Sequence, residues 1–248
     1  MEKIKAEKES FYKGGNDDSM SKKLEALKKL WLEEAKKNNA LPLDDRTPMQ
    51  IINIPRPTEE TEKDSYTYYP HTSQVPEAVA VSVRGKSYKI IANVEIKANA
   101  KGVIFAHGSR FGGHSLFIKD HKLYYVYNFL GIKEQQLVST ETLKPGKYTF
   151  GVEFTKEKAG EHGESMGTAK LFINDKAVAT GAMTAQVGKF TLVGDGLCVG
   201  FDSGDPVSKQ YNSPGEFEDG EISFVTVNTG KESFLDLERE AARALKKE

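Results

Sequence analysis

Apolar and polar residues alternate with a period of two along the middle of the chain, from about residue 79 to 228. The clearest example runs from Tyr88 to Ile96, where every second residue is apolar. Successive side chains of a strand point to opposite faces of a sheet, so this alternation predicts half-buried β-strands. About ten such runs are present, each bounded by Gly, Pro, Asn or Asp, with no helical pattern between them. The pattern therefore predicts antiparallel strands in two sheets stacked face to face.

Helical periodicity replaces this alternation at both ends of the chain. An amphipathic helix is predicted over 20–40, after a polar arm over 1–19, and a short helix is predicted over 230–248. The apolar face of the first helix consists of Leu24, Leu27, Trp31 and Ala35. Between 22 and 37 the sequence also places six Lys and three Glu. Such a charged face is typical of contact with solvent, and binding of a partner is the alternative.

Proline is frequent between the first helix and the strands. The segment 41–78 contains Pro42, Pro48, Pro55, Pro57, Pro70 and Pro76. Because proline fixes φ and removes a hydrogen-bond donor, we expect an extended connector laid over another part of the protein. Its tyrosines Tyr66, Tyr68 and Tyr69 either pack the connector against that part or stack on sugar rings. The β-sandwich domain itself is then expected over 79–229.

Composition argues against several classes of protein. The 35 Lys and Arg balance the 36 Asp and Glu, and this net charge of −1 argues against a nucleic-acid partner. No apolar run reaches the length of about 18 residues that spans a bilayer, so we expect no membrane partner. The charged start Met1–Lys8 lacks the apolar stretch of a signal peptide, which favours a cytoplasmic location. Cys198 is the only cysteine, so neither an internal disulfide nor a cysteine-clustered metal site is expected.

No known arrangement of catalytic residues is visible in the sequence. A Gly-x-Ser-x-Gly nucleophile turn and a phosphate-binding Gly-Lys-Ser/Thr loop are both missing. Glu216, Glu218 and Glu221 cluster near the start of a predicted strand. Glycosidases need two carboxyl groups that flank the scissile bond, and β-sandwich glucanases present them in a Glu-x-Asp-x-Glu strand. Because this cluster has a different spacing, the sequence disfavours a glucanase, and we expect no catalytic residue.

The richest candidate for a ligand site is the stretch from His107 to His114 and the strand that follows it. Paired glycines beside Arg110 predict close approach of the backbone to another group. On the next strand Tyr125 and Tyr127 share one face, and their neighbours occupy the other. One face belongs to the core, and the other is a ligand platform or a second packing layer. The candidate ligand-binding residues are Arg110, His114, Tyr125, Tyr127 and Asn128.

Two places in the sequence suggest a metal ion. Asp202 and Asp205 resemble a short calcium-binding turn, although the alternating carboxylates of an EF-hand are missing. The alternative is a turn in which an Asp side chain closes the end of a strand. His107 and His114 flank one loop, but two histidines without a third ligand make a poor zinc site. Calcium is therefore the one cofactor considered, and no other is expected.

Several short motifs also carry a resemblance through their order and spacing. They are Leu27–Ala35, Leu41–Arg46, Tyr66–Pro70, Arg110–Gly113, Tyr125–Asn128 and Gly200–Ser208. Together they resemble the C-terminal region of large bacterial arylsulfatases, and the β part is similar to laminin G-like and concanavalin A-like sandwiches. The resemblance implies a mainly β, jelly-roll or concanavalin A-like sandwich with an N-terminal helix, a proline-rich connector and a short C-terminal helix.

The same resemblance implies what the chain lacks. Arylsulfatases make their formylglycine nucleophile from the Cys or Ser of a Cys/Ser-x-Pro/Ala-x-Arg motif, whereas Cys198 is followed by Val199 and Gly200. The implied function is therefore a non-catalytic accessory region, present as a fragment or a stand-alone copy, whose partner is a sulfatase catalytic domain. The alternative is a stand-alone lectin-like module that binds carbohydrate. A third hypothesis is a protein-docking domain that exposes Leu27 and Trp31.

Overall fold

The chain divides by its contacts into two units, Met1–Ile54 and Pro55–Glu248. The computed structural model describes residues 18–38, 40–41, 64–188, 192 and 196–230. Helix α1 (Asp18–Lys37) belongs to the first unit, and the described strands belong to the second. The arm predicted over 1–19 and the helix predicted over 230–248 lie almost wholly outside the described residues.

The second unit contains ten strands among its described residues. They are β1 (Ser65–Tyr68), β2 (Tyr88–Ser109), β3 (Gly112–Lys119), β4 (Lys122–Phe129), β5 (Lys133–Val138), β6 (Gly146–Ala159), β7 (Ser165–Ile173), β8 (Lys176–Ala185), β9 (Leu197–Val199) and β10 (Glu218–Asn228). One sheet has the order β1-β10-β2-β6-β7-β8, and the other has the order β5-β4-β3-β2-β9. All of these pairings are antiparallel, so the prediction of an antiparallel two-sheet sandwich is confirmed.

Strand β2 belongs to both sheets. Its first part pairs with β6 and β10, and its last part pairs with β3 and β9. The second part begins at Gly102, which has a φ of 101°. A Cβ atom there would lie 2.0 Å from the carbonyl oxygen of Glu216. Glycine is therefore required at this position, because it tolerates positive φ and lets the two backbones approach.

The main core lies between the two sheets. It combines inward side chains of the first sheet, such as Ile90 and Phe150, with those of the second, such as Leu116. The hydroxyl groups of Tyr88 and Tyr125 form a hydrogen bond of 2.6 Å across this core. Burying an aliphatic or aromatic side chain of this size contributes about 1.5–3 kcal/mol, so this interface stabilises the sandwich.

The second sheet is also covered on its outer face. Val103, Ala106, Phe117 and Val126 form a buried outer layer there with Val207. Val207 belongs to the segment from Gly200 to Phe217, which joins β9 to β10 and is called the strap below. Both faces of the second sheet are therefore buried in its central strands.

Helix α1 exposes much of its apolar face. Leu24, Leu27 and Trp31 are 53%, 53% and 50% exposed, whereas Ala35 is buried. Lysines in the last turn complement the partial negative charge at the helix C-terminus. Within the part of the chain that the structure describes, no helix is both long and apolar enough to cross a membrane.

Candidate functional site

A buried carboxylate anchors the strap to the outer face of the second sheet. Asp202 is 1% exposed. Its Oδ2 atom accepts hydrogen bonds from the backbone N–H of Val207 at 2.9 Å and from the Tyr211 hydroxyl at 2.5 Å. The Tyr211 oxygen also lies 2.9 Å from the hydroxyl of Ser115 on β3. Burial raises the pKa of Tyr211, and the nearby Asp202 raises it further, so the phenol keeps its proton and donates it.

A groove of about 520 Å³ opens beside this anchor. It lies between the strap, the turn that joins β3 to β4, and the bend of β2 near Gly102. Its polar lining consists of Lys101, Lys119, Asp120, Gln210, Asn212, Glu216 and Glu218. Its apolar lining includes Phe117, Ile118, Tyr211 and Pro214. Polar groups thus surround an aromatic wall, which is a composition suited to a small organic ligand.

Both lysines of the groove contact a neighbouring side chain. The Nζ atom of Lys119 donates a hydrogen bond of 2.9 Å to Oε1 of Gln210. The Nζ atom of Lys101 lies 3.1 Å from Oε2 of Glu218, and both of these side chains are largely exposed. The groove lining also carries the carboxylates of Asp120, Glu216 and Glu218, so it has no excess of positive charge to attract an anion.

The tight turn between β3 and β4 positions Asp120 in the groove. Asp120 and His121 have φ values of 50° and 58°, which are the paired positive values of a two-residue type I′ turn. Asp and His adopt this conformation more readily than most side chains. The exposed carboxylate of Asp120 therefore projects from a short turn on the same side as the strap residue Asn212.

The predicted ligand-binding residues are divided between the surface and the interior. His114, Tyr125 and Tyr127 face the main core and are at most 1% exposed. Asn128 is also buried, and its Nδ2 atom donates a hydrogen bond of 3.0 Å to the carbonyl oxygen of Val207. Solvent reaches only Arg110 among the five. The inward face of β4 thus packs the core, and its outward face packs beneath the strap.

The two candidate calcium ligands have different partners. Asp202 accepts the hydrogen bonds of the strap anchor, whereas Oδ2 of Asp205 lies 2.8 Å from Nε of Arg110. The Arg110 guanidinium also lies 4.9 Å from the centre of the Phe111 ring. Among the described residues, no three or more His, Cys, Asp or Glu side chains are grouped as metal ligands. Calcium binding by the two aspartates therefore stays a prediction.

His107 and His114 are brought together inside the main core. They are directly paired across β2 and β3, and their ring centres are 5.8 Å apart. Burial, with a smaller contribution from the nearby Arg84, lowers the pKa of His107 to about 3. Burial also holds the pKa of His114 well below its usual range, with a further contribution from His107. Both imidazoles are therefore neutral at neutral pH.

The strap residues of the groove were missed by reasoning from sequence. Gln210, Tyr211 and Asn212 lie in an irregular segment that has neither helical nor strand periodicity. A signal was nevertheless present. An irregular connection longer than about 15 residues inside a compact domain commonly carries a function, and the strap exceeds that length.

Several solved structures are similar to this chain, with low sequence identity and TM-scores below 0.5. Mouse laminin α1 chain domains LG4-5 are 15% identical, with a TM-score of 0.41 over 67% of this chain and 39% of theirs. The receptor-binding domain of botulinum neurotoxin D is 9% identical, with a TM-score of 0.43 over 73% of this chain and 44% of its own. The heptameric SAP-like pentraxin of Limulus polyphemus is 14% identical, with a TM-score of 0.41 over 71% of this chain and 80% of its own.

Comparisons by sequence return nothing further: no family model and no curated protein matches the chain. The chain spans less than half the length of the laminin and neurotoxin structures. The fold assignment therefore rests on the strand order and on the core shared by the two sheets.

Proposed function

We propose that this protein is a carbohydrate-binding module and that the groove beside the strap holds the sugar. One observation carries the proposal: the Tyr211 ring lines a concave site together with the exposed side chains of Asp120 and Asn212. Sugars combine apolar C–H faces with hydroxyl groups that donate and accept hydrogen bonds. An aromatic wall flanked by a carboxylate and an amide offers a complementary partner for each of these features.

Each groove residue has a separate role in this proposal. The Asp120 carboxylate accepts charge-assisted hydrogen bonds from sugar hydroxyls, and the Asn212 amide both donates and accepts. The Tyr211 ring is fixed before the sugar arrives, because its hydroxyl is bound to Asp202. A wall that is already ordered lowers the entropic cost of binding. The three carboxylates of the groove outnumber its two lysines, so the expected ligand is a neutral oligosaccharide.

A glycan array followed by calorimetry on the bound glycan tests this proposal. Asp120→Ala is expected to weaken binding about tenfold or more, since a hydrogen bond to a charged group is worth about 1.5–3 kcal/mol. Asn212→Ala is expected to weaken it about two- to tenfold, since a neutral hydrogen bond is worth about 0.5–1.5 kcal/mol. Asp175→Ala is the matched control, because Asp175 is an exposed carboxylate in the tight turn between β7 and β8. Failure to bind any glycan, with and without calcium, would contradict the proposal.

A second candidate function is the accessory region of an arylsulfatase-type protein, in which helix α1 docks on a catalytic domain. The exposed apolar face formed by Leu24, Leu27 and Trp31 supports it, since an apolar patch of this kind is typical of an interaction site. The protein alone is then expected to hydrolyse no aryl sulfate. A pull-down with a separately produced sulfatase catalytic domain tests docking, and Trp31→Glu is expected to abolish it. Retention by Trp31→Glu would contradict this function.

A further inference from the structure

A second cavity of about 300 Å³ lies beside the groove. It is formed by the turn that follows β1, by the end of β9 with the start of the strap, and by the first residues of β10. Its polar lining consists of His71, Glu216 and Glu221, and its aromatic lining consists of Phe201 and Phe217. Like the groove, this second cavity therefore combines aromatic rings with a few polar groups, which is the composition of a small-molecule site.

Glu216 connects the two cavities. Among the described residues it alone lines both of them. Its side chain is exposed, and its carboxylate forms no hydrogen bond or ion pair with any residue that the structure describes. A carboxylate offers about four lone-pair positions to donors. Glu216 can therefore accept hydrogen bonds from ligand groups on both sides at once.

Backbone hydrogen bonds fix the short ridge, residues 215–217, on which Glu216 lies. The carbonyl oxygen of Gly215 accepts a hydrogen bond of 2.8 Å from the N–H of Val103 on β2. The N–H of Phe217 donates a hydrogen bond of 2.9 Å to the carbonyl oxygen of Gly200. The ridge is thus held from both sides, and the two cavities keep their relative position before any ligand binds.

The aromatic rings of the second cavity remain accessible. Phe201 and Phe217 are both half-buried. Phe217 packs against the main core, which restrains its ring. A Cβ atom at Gly220 would lie 2.7 Å from that ring, so the glycine leaves the space that the ring occupies. An ordered ring with an accessible surface in a concave site is complementary to the apolar C–H face of a sugar.

We propose that one sugar chain occupies both cavities and crosses the ridge at Glu216, so that the protein binds an internal stretch of a polysaccharide. This inference rests on the carbohydrate-binding function proposed above. Exposed side chains lie at both ends of the combined site: Asp120 and Asn212 in the groove, and His71 and Glu221 in the second cavity. A chain that fills the site can therefore continue into solvent at each end.

The charge of the second cavity restricts the class of polysaccharide. Its described lining residues include the carboxylates of Glu216 and Glu221 and neither Lys nor Arg. Carboxylates without a balancing cation repel an anionic ligand. The polysaccharide is therefore uncharged, without uronate or sulfate groups.

Calorimetry on the full chain tests the inference with cello-, malto-, xylo- and manno-oligosaccharides of one to six units. Within the series that binds best, affinity is expected to rise about tenfold or more with length until both cavities are filled, because each added sugar brings further hydrogen bonds. It is then expected to stay constant. An affinity that is independent of length would overturn the inference.

Variants of the second cavity separate this inference from the proposed function. Phe201→Ala and Glu221→Ala are each expected to lower the affinity for the hexasaccharide about tenfold, and to leave the affinity for the shortest oligosaccharide that binds unchanged. Asp120→Ala is expected to weaken both. Glu161→Ala is the matched control, because Glu161 is an exposed carboxylate in the turn between β6 and β7.

The possible failures are distinguishable. If Asp120→Ala weakens binding of the hexasaccharide but neither variant of the second cavity does, the groove binds sugar and the second cavity does not. If no oligosaccharide binds, both the inference and the proposed function are wrong.

A measurement on the unsubstituted chain keeps the test valid if Phe201→Ala does not fold. The backbone amide signals of Gly220 and Glu221 can be followed by NMR during titration. They are expected to shift with the hexasaccharide and to stay in place with the shortest oligosaccharide that binds. Signals that stay in place with both ligands would overturn the inference.

Discussion

The two faces of the second sheet are both buried, but different interactions stabilise them. The inner face meets the first sheet through large aromatic and aliphatic side chains, such as Phe105 and Leu116. The outer face is covered by the strap, which has no regular structure and depends on the buried anchor Asp202. Packing area thus stabilises the inner layer, whereas a small hydrogen-bonded network fixes the outer one.

This difference indicates which layer carries binding. The inner layer consists of regular strands on both sides and excludes solvent. The outer layer ends in an open groove, because the irregular strap covers the sheet only in part. Irregular segments positioned by a rigid scaffold commonly carry binding residues. Mutations in the inner layer should therefore act on stability, and mutations at the groove should act on binding.

The largest expected effect comes from truncating aromatic rings in the two layers. Phe105→Ala should lower the free energy of unfolding by about 3–5 kcal/mol, because it leaves a cavity between two ordered sheets. Phe117→Ala should fall near the lower end of that range, since the irregular strap can close over the gap. Phe111→Ala is the control, because Phe111 is 52% exposed. Urea denaturation measures all three, and equal losses at Phe105 and Phe117 would remove the distinction.

The second-largest effect is expected at Asp202, the residue that anchors the strap. Asp202→Ala should lower the free energy of unfolding by about 2–3 kcal/mol, since it removes a charged acceptor and leaves the Tyr211 hydroxyl without it. Relative to the unsubstituted chain, amide hydrogen exchange in this variant should accelerate more in the strap than in β3 or β4. If exchange rises equally in all three, Asp202 stabilises the whole fold and not one layer.

The buried histidines should make the inner layer sensitive to acid. His107 has a pKa of about 3 in the folded protein, against about 6.5 in an unfolded chain. Below pH 6.5 the unfolded chain gains a proton that the folded protein does not, so stability falls until about pH 3. The free energy of unfolding falls by at most about 1.4 kcal/mol per pH unit for each such histidine. Denaturation of the protein between pH 7 and pH 4 measures this loss of stability, and His107→Leu should reduce its slope. An unchanged slope would show that His107 is not responsible.

The smallest effect is expected at the surface pair of Arg110 and Asp205. Arg110 is more than half exposed, and exposed ion pairs contribute about 0–1 kcal/mol. Arg110→Gln should therefore change the free energy of unfolding by less than about 1 kcal/mol, and added salt should reduce the difference further. A larger loss would mean that this pair helps to fix the strap.

The fold could be predicted from the sequence because most strands alternate clearly. The exception is instructive: β4 has apolar side chains on both faces, with Tyr125 and Tyr127 on one and Val126 on the other. Period-two reasoning therefore found the strand but could not determine which face met the main core. That choice depends on the strap, whose irregular sequence does not indicate which part of the protein it covers.

The candidate site was less predictable for a related physical reason. The sequence drew attention to His107, His114 and Tyr125, and the structure places all three in the core. The groove instead combines Asp120 from a tight turn with Asn212 from the strap. These residues are far apart in the sequence, and only the covering of the outer face brings them together.

The sharing of β2 between the two sheets has a mechanical consequence. A backbone that continues from one sheet into the other transmits strain directly between the two sheets. Neither sheet can separate from the other without breaking hydrogen bonds along β2. We therefore expect the sandwich to melt in one step, with the amide protons of β2 among the last to exchange.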